Sequence, residues 1–493
     1  VRPRRCAALA MKPSDPTFSY FTAFTVYMSF ALLILFGHLR DFFAKLTGRS
    51  RYLFIKPPKG YAPLFKSWEN FFTRRLYHRV QDCWSRPITG PPGAHINVIP
   101  RVTFDKNATL HVDKEAKPMR CLNLGSYNYL GFADDWNETC RDEVLRTFED
   151  FECSAASSRS DFGTTTIHKE LEREVAQFLD VEDAVVYNMG YGTNATTVPA
   201  LMGKGSLIIS DSLNHLSIVN GARASGARIR VFNHNDAVNL EKVLREAVVE
   251  GQPRTRRPWT KILVMIEGVY SMEGEIVNLP AILAVCKKYK AYVYLDEAHS
   301  IGAVGRTGRG VCEHWGVSPR EIDIMMGTFT KSFGAMGGYI AGKKDLVQYL
   351  RQNCAGAITS NAMSPLVAKQ VLQAFRVLRT PVGLDKIRRV KENSDYFRQR
   401  LVKMGVDVLG DDGSPVVPVL LYHPGKVAAF SHEALKLGLA VVVVGFPATP
   451  LLLSRCRFCI SAGHSREDLD DALEKIHSIS KLIRIRYRKS IIG

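Results

Sequence analysis

The sequence predicts an α/β protein with a large domain on a mostly parallel sheet, a smaller α/β domain at the C-terminal end, and one membrane helix before them. Three observations support this prediction. From about residue 120, short β-branched runs alternate with helical patterns, which is typical of a parallel sheet covered by helices on both faces. Strand and helix patterns of a different spacing follow residue 415, and residues 16–37 contain no charged side chain.

The uncharged segment PTFSYFTAFTVYMSFALLILFG at 16–37 is long enough to cross a bilayer as a helix, which takes about 20 apolar residues. A signal peptide would be shorter in its apolar part and would end in small residues. A helix buried in a protein core is the alternative that stays open. Basic residues are denser on the C-terminal side of the segment, so the positive-inside tendency places the large domain in the cytosol.

We divide the chain into four parts: a membrane segment at 1–56, a proline-rich connector and arm at 57–115, the large domain with its helical end at 116–400, and the small domain at 401–493. The predicted strands of the large domain are 183–188, 206–211, 228–233, 261–268, 291–298 and 322–328. The predicted helices between them include 167–179, 238–250 and 279–289. The small domain has predicted strands at 415–423, 439–445 and 455–462 and helices at 426–438 and 466–483.

The formal net charge of +18 suits nucleic acid, an anionic membrane or acidic small ligands as partners. A nucleic-acid partner would depend on charge alone, and we predict none. The DEAH run at 296–299 matches a helicase box, but no Gly-Lys in the chain is followed by Ser or Thr, so the phosphate loop of a helicase is absent. Cys456 and Cys459 form a single C-x-x-C in an apolar run; we interpret them as core residues and predict no metal site.

The most specific chemical signal is the pair formed by Lys331, in GTFTKSFG, and Asp296, at the end of the apolar run YVYLD. A lysine with Thr328 and Thr330 beside it can form a Schiff base next to hydroxyls that bond a phosphate. An aspartate at a strand end can keep a pyridine nitrogen protonated, although Asp296 also fits the N-cap of a helix. Together the pair indicates a pyridoxal 5'-phosphate (PLP) site.

Further candidate residues surround this pair. His299 follows Asp296 by three positions and can orient a ring substituent, and His215 in SDSLNHLSIVNGA can stack on a pyridine ring; each is otherwise an ordinary structural histidine. Gly190 and Tyr191 lie in NMGYGTN, between a strand and a helix, where free backbone amides form an anion cradle.

Arg455 and Arg457 are two residues apart in a predicted strand and therefore lie on one face. An arginine there can grip a substrate carboxylate with two hydrogen bonds, or both can be ordinary surface charges.

Several of these motifs together resemble the α-oxoamine synthase family of fold-type I PLP enzymes. The resemblance covers most of residues 115–475 and includes LNLGSYNYLGF, SSRSDFGTTTIHKELE, EGVYSMEGE, LDEAHSIGAVGRTGRG and the PATP run at 447–450. Within the family, the membrane segment and RRLYHRVQDCWSRPI at 74–88 are similar to the lysine-bearing subunit of eukaryotic serine palmitoyltransferase and not to the soluble members.

The resemblance implies a role for each candidate residue. Lys331 would bind PLP and remove the Cα proton, Asp296 would contact the ring nitrogen, His299 the ring hydroxyl, and His215 the ring face. The phosphate would be bound by Gly190, Tyr191, Thr328 and Thr330. Arg457 aligns with the arginine that binds the substrate carboxylate, and Asn128 lies where the family has a substrate-facing residue.

One departure from the family pattern concerns the carboxylate. Soluble bacterial serine palmitoyltransferases have an arginine before a Pro-Pro-Ala-Thr-Pro loop, whereas this chain has Gly445 and Phe446 in GFPATP. Arg455 is therefore a possible substitute for that arginine.

The implied reaction joins L-serine to palmitoyl-CoA in the endoplasmic reticulum membrane. The implied partners are a lysine-less subunit, giving a heterodimer, and small regulatory membrane subunits. The alternatives are another synthase of the family that uses glycine or alanine with an acyl-CoA, and a non-catalytic scaffold subunit.

Overall fold

The computed structural model describes residues 19–46, 58–62, 67–105 and 107–488. The first residues of the predicted membrane helix, 16–18, lie outside this range. Six residues of the predicted connector, 57, 63–66 and 106, also lie outside it.

A seven-stranded sheet forms the centre of the large domain. Its strands, in spatial order, are Asp183–Tyr187, Gly338–Gly342, Ile324–Thr328, Tyr292–Asp296, Ile262–Glu267, Leu207–Asp211 and Arg228–Phe232. Six of them are the predicted strands, with ends that agree within two residues. The sequence did not indicate the seventh, Gly338–Gly342, which runs antiparallel to both of its neighbours. The prediction of a mostly parallel sheet is confirmed.

The side chains of this sheet alternate between two cores. Val186, Ile209 and Val264 pack into one cluster, while Val185, Ile208 and Met265 pack into another on the opposite face, as the two-residue period of a strand requires. Helices cover both faces. The described helices of this part are Trp136–Thr139, Arg141–Asp150, Thr166–Leu179, Gly190–Leu201, Leu216–Ala224, Ala237–Glu250, Leu279–Lys288, Val311–Trp315, Lys344–Asn353, Ala355–Ile358, Pro365–Leu378 and Pro381–Lys403.

The C-terminal part has its own core and a three-stranded antiparallel sheet. Its strands are ordered Val416–Leu420, Arg455–Cys459 and Val442–Val444, and its helices are Pro424–Lys436 and Arg466–Leu482. A second sheet contains, in order, Ile88–Thr89, His95–Val98, Met119–Asn123 and Leu439–Ala440. This sheet joins the arm to the C-terminal part. Its strand Met119–Asn123 belongs to the large domain by the predicted boundary at residue 116, yet it pairs with Leu439–Ala440 of the C-terminal part. The four domain boundaries remain predictions.

The N-terminal helix spans Tyr20–Leu46 and continues nine residues past the predicted end at residue 37. Its length and apolar composition over Tyr20–Ala44 are sufficient to cross a membrane. Large apolar side chains such as Phe21, Phe24, Leu35 and Phe36 are exposed along it, which is costly in water and favourable in lipid. The helix is therefore consistent with membrane anchoring.

The helix extends past residue 37 into a charged segment because side chains of that segment have partners in the next helix, Ser67–Arg75. Asp41 accepts hydrogen bonds from Arg74 Nη1 and Arg75 Nε, each at 2.8 Å. On the same side of the helix, His38 stacks on Phe71 with ring centroids 4.1 Å apart. The sequence of this region predicts one helix near residues 65–83, but the described helix ends at Arg75, and two 3-10 turns, Tyr77–Arg79 and Gln81–Cys83, follow it.

Candidate active site

The candidate residues meet at the carboxyl-terminal edge of the seven-stranded sheet. Asp296 and Thr328 are the last residues of their strands, and Glu267 ends the strand beside Asp296 and is its direct neighbour in register. Because the parallel strands end at one edge, acidic and hydroxyl side chains that are far apart in sequence are brought together there.

Lys331 lies in the turn that follows Thr328 and is half-buried. Burial lowers the pKa of Lys331 to about 8, although the carboxylates of Asp296 and Glu267 act in the opposite direction. Its Nζ atom lies 5.7 Å from the centre of the Tyr127 ring. A lysine with this pKa has a substantial neutral fraction near pH 8 and can act as a nucleophile and a base.

Asp296 is buried and held by two hydrogen bonds. Asn194 Nδ2 donates to its Oδ2 at 2.7 Å, and the backbone amide of Ala298 donates to its Oδ1 at 2.9 Å. Tyr294 in turn fixes Asn194 by donating to Asn194 Oδ1 at 2.7 Å. Residues 297–300 form a turn and not a helix, so Asp296 is not a helix N-cap.

The two histidines have different surroundings. His299 is buried, its Nδ1 lies 2.8 Å from the Tyr129 hydroxyl, and burial lowers its pKa well below the ordinary value, which keeps the ring neutral. His215 caps the helix Leu216–Ala224, and its Nδ1 lies 2.7 Å from Ser217 Oγ. Partial burial also lowers the pKa of His215, with Lys331 adding to the effect and Asp296 opposing it.

An anion cradle forms where the helix Gly190–Leu201 begins. A Cβ atom at Gly190 would lie 2.5 Å from Thr328 Oγ1, so only glycine allows the helix start and this hydroxyl to come together. Thr328 Oγ1 is 2.8 Å from Thr330 Oγ1. Tyr191 accepts a hydrogen bond from Asn220 Nδ2 at 2.6 Å. Free amides at a helix start together with these hydroxyls suit a phosphate group.

The two arginines of the strand Arg455–Cys459 are both buried but differ in their bonding. Arg455 donates from Nη1 to Met272 O at 2.6 Å and to Glu273 Oε1 at 3.1 Å, and from Nε to Leu453 O at 2.8 Å. Its hydrogen-bonding groups are therefore largely committed within the protein, and the alternative that both arginines are surface charges is wrong.

Arg457 is placed differently. Its Cζ lies 4.8 Å from the centre of the Tyr127 ring, its Nη1 is 3.4 Å from Met272 Sδ, and it is close enough to Lys331 for their charges to interact. Its Nε is buried and has no hydrogen-bond partner among the described residues. A buried donor without a partner is costly, and a carboxylate ligand would satisfy it.

Asn128 is buried, and its amide is used inside the protein: Nδ2 donates to Asp134 Oδ2 at 3.1 Å. The neighbouring Tyr127 is instead in contact with the site, because its ring meets His299 at 5.1 Å between centroids as well as Lys331 and Arg457. No functional role follows from the sequence alone for Tyr127, Asn194 or Glu267. Each lies in a distinctive run, LNLGSYNYLGF, NMGYGTN and EGVYSMEGE respectively, but only the folded chain shows which residue of each run reaches the site.

These residues fit PLP on structural grounds. One edge of the sheet carries four features that suit this cofactor. They are a phosphate cradle that requires glycine, a buried aspartate, a neutral buried histidine, and a lysine with a lowered pKa. Near Lys331 is Arg457, whose buried Nε has no hydrogen-bond partner in the part of the chain that the structure describes.

Comparison with known proteins agrees with this geometry. The family model for aminotransferase class I and II matches residues 120–476. The chain is 55% identical to long chain base biosynthesis protein 2b of Arabidopsis thaliana over 479 residues, 96% of both proteins. It is 50% identical to serine palmitoyltransferase 3 of Homo sapiens over 470 residues, 94% of this chain and 85% of the human protein.

Solved structures of serine palmitoyltransferases are also similar to this chain. A serine palmitoyltransferase of Sphingomonas wittichii superposes with a TM-score of 0.75 at 28% identity and covers 86% of this chain and 100% of its own. A serine palmitoyltransferase solved with PLP has a TM-score of 0.74 at 28% identity, over 85% of this chain and 98% of its own. An 8-amino-7-oxononanoate synthase of Francisella tularensis, at 20% identity and a TM-score of 0.61 over 73% of this chain and 98% of its own, shares the fold.

Proposed function

Since this chain belongs to the aminotransferase class I and II family and, within it, to the serine palmitoyltransferases, we propose that it is the catalytic subunit of such an enzyme. It is a PLP-dependent acyltransferase. The reaction joins L-serine to palmitoyl-CoA, releases carbon dioxide and CoA, and yields 3-oxosphinganine. The main structural support is Lys331, which is half-buried, has a lowered pKa and is within electrostatic reach of both Asp296 and Arg457.

Residues at the sheet edge and at the start of the helix Gly190–Leu201 would hold the cofactor. Gly190, Tyr191, Thr328 and Thr330 would bind its phosphate, Asp296 its ring nitrogen, His299 its hydroxyl, and His215 its ring face. When bound, PLP supplies the electron sink for the bonds broken at Cα of serine. The protein supplies the charge that keeps this sink active: Asp296 is fixed by Asn194 and Ala298 and so presents its carboxylate in one orientation.

Lys331 is the base of the reaction. It takes the proton from Cα of serine, and its pKa of about 8 makes the neutral amine available near physiological pH. Tyr127 lies beside both Lys331 and Arg457 and limits the space in which the substrate can turn.

Arg457 binds the serine carboxylate. Its Nε has no partner within the described part of the protein, whereas Arg455 is bonded to Glu273, Met272 and Leu453. The departure at Gly445 and Phe446 therefore does not require Arg455 as a substitute. Arg455 instead stabilises the segment that places Met272 against Arg457. Asn128 supports the turn beside Tyr127 and reaches the substrate indirectly.

The assembly and location are part of this proposal. The chain acts as a heterodimer with a lysine-less subunit, with small regulatory membrane subunits, in the endoplasmic reticulum membrane. The catalytic part lies in the cytosol, where palmitoyl-CoA is available. The exposed apolar helix Tyr20–Leu46 and the basic residues after it support an anchored enzyme whose product is a lipid.

Product analysis tests the proposal. The chain, purified with its lysine-less partner, is incubated with serine, glycine or alanine and with acyl-CoAs of several lengths. We expect 3-oxosphinganine from serine and palmitoyl-CoA, and loss of product with Lys331→Ala but not with Lys343→Ala, an exposed lysine twelve positions away. Turnover with glycine and not serine would identify another synthase of the family. Unchanged turnover with Lys331→Ala would assign catalysis to the partner and make this chain a scaffold.

A further inference from the structure

A separate cavity lies where the N-terminal helix meets the C-terminal part of the protein. Its volume is about 250 Å³, and apolar side chains dominate its wall, among them Phe30, Leu33, Phe72, Leu76 and Phe446. An apolar cavity of roughly 150 Å³ is already large enough to bind benzene. This cavity can therefore hold a segment of hydrocarbon chain, and it shares no lining residue with the catalytic site.

The wall is built from three parts of the chain. Phe446 is the centre, because its ring meets the rings of Phe30 at 5.7 Å and Phe72 at 5.6 Å in edge-to-face contacts. Phe446 is also one of the two residues by which this chain departs from the loop of the soluble enzymes. At this position the chain therefore packs an aromatic ring against the membrane-compatible helix.

Positive charge lies at one side of the cavity. Arg79 is exposed, lines the cavity, and interacts electrostatically with Arg40 of the N-terminal helix, as Arg75 does. Asp41 pairs with Arg74 and Arg75 and interacts electrostatically with Arg40, whereas no ion pair to Arg79 is present among the described side chains. An apolar chain with an anionic group at one end matches this distribution of charge.

We propose that the cavity binds an acyl chain of an anionic membrane phospholipid, whose headgroup lies against Arg79 and Arg40. The Tyr20–Leu46 helix, which is long and apolar enough to cross a membrane, forms one wall of the cavity. A lipid can therefore enter the cavity directly from the bilayer. The site goes beyond the proposed reaction and does not depend on it.

Photolabelling tests the site with the full chain and its partner subunit. The protein is placed in vesicles of phosphatidylcholine with or without phosphatidylserine, and either lipid bears a photoreactive group on its acyl chain. Labelled peptides are then mapped by mass spectrometry. We expect phosphatidylserine to label the cavity wall more strongly than phosphatidylcholine does.

Two pairs of variants make the test specific. Gly425 lines the cavity, and an added Cβ there meets no atom within 4 Å. Gly425→Leu should thus fill the space and lower labelling about tenfold, the effect of losing contact with about two methylene groups. Gly203→Leu, at another glycine whose added Cβ meets no atom within 4 Å, should leave labelling unchanged. Arg79→Gln should remove the preference for phosphatidylserine, whereas Arg245→Gln, in the helix Ala237–Glu250, should not.

Other results would overturn the proposal. Equal labelling by the two lipids would refute the anionic headgroup. Unchanged labelling in Gly425→Leu, with the visible absorption of bound PLP retained, would refute the cavity. Loss of label on addition of palmitoyl-CoA would assign the cavity to the acyl substrate, and a small membrane protein crosslinked to the same peptides would assign it to a protein partner.

Discussion

Replacing each strand arginine by methionine distinguishes a substrate ligand from a structural residue. The two changes are chemically the same, and both positions are buried in the strand Arg455–Cys459. We expect Arg457→Met to raise the KM for serine and Arg455→Met to lower stability. The contrast matters because sequence alone leaves both arginines as candidates for binding the serine carboxylate.

The expected size follows from the bonds. A hydrogen bond to a charged group contributes about 1.5–3 kcal/mol. Loss of the hydrogen bonds between the Arg457 guanidinium and the serine carboxylate should therefore raise the KM for serine by about 10- to 100-fold or more. The unfolding midpoint should change little, because the methionine removes a buried charge whose Nε has no partner in the described structure.

Arg455→Met removes an ion pair with Glu273 at 3.1 Å and two bonds to backbone carbonyls. Breaking a buried pair from one side costs about 3–5 kcal/mol. Burial already raises the pKa of Glu273, and Arg455 opposes this rise, so in the variant Glu273 binds a proton more readily. When folding raises the pKa of a group, the stability of the folded protein decreases as pH increases. The destabilisation caused by Arg455→Met should therefore be larger at high pH.

The assay combines steady-state kinetics at varied serine with urea unfolding followed by tryptophan fluorescence, at two pH values. The reverse pattern would refute these roles: a higher KM for serine with normal stability in Arg455→Met, together with a normal KM in Arg457→Met.

Three further predictions concern the cofactor site. Gly190→Ala should weaken PLP retention on dialysis, because its Cβ would lie 2.5 Å from Thr328 Oγ1, whereas Gly192→Ala, with its nearest contact at 3.4 Å, should retain PLP; equal retention would contradict the cradle. Lys331→Ala should lose turnover and the visible absorption of the bound cofactor, and a variant that keeps both would remove Lys331 from the mechanism. The rate at which the cofactor-free enzyme takes up PLP should rise with pH and level off above about 8, since the neutral amine of Lys331 is required; a rate independent of pH between 6 and 9 would contradict the lowered pKa.

The sequence predicted the elements whose signal is local. Six strands of the large sheet have β-branched or apolar runs, and their ends agree with the structure. Gly338–Gly342 was missed because Gly-Tyr-Ile-Ala-Gly has little strand propensity by itself; it is a strand because its two neighbours offer unpaired edges. The N-terminal helix continues to Leu46 for a similar reason, since Asp41 is bonded by arginines 33 and 34 positions later.

The candidate site shows the same limit in a different form. Lys331, Asp296 and Thr328 were identified because each stands beside a strand end in a distinctive run of residues. Asn194 was not, although it closes the run NMGYGTN, because its role consists of contacts with Asp296 and Tyr294, 102 and 100 positions away. A side chain that orients another leaves no pattern around itself, and it becomes visible only when the sheet edge is assembled.

The arginines show why strand periodicity cannot settle a role. Two residues apart in one strand, Arg455 and Arg457 share a face, and periodicity makes them equivalent. The difference between them comes from a short hairpin, formed by the strands Val269–Tyr270 and Glu275–Ile276. The residues that connect these strands include Met272 and Glu273. Glu273 pairs with Arg455, and Met272 offers Arg457 a weak sulfur acceptor. One carboxylate from a distant segment thus commits Arg455 to the fold. Arg457 Nε has no hydrogen-bond partner among the described residues, which is the state that our proposal of a serine carboxylate ligand requires.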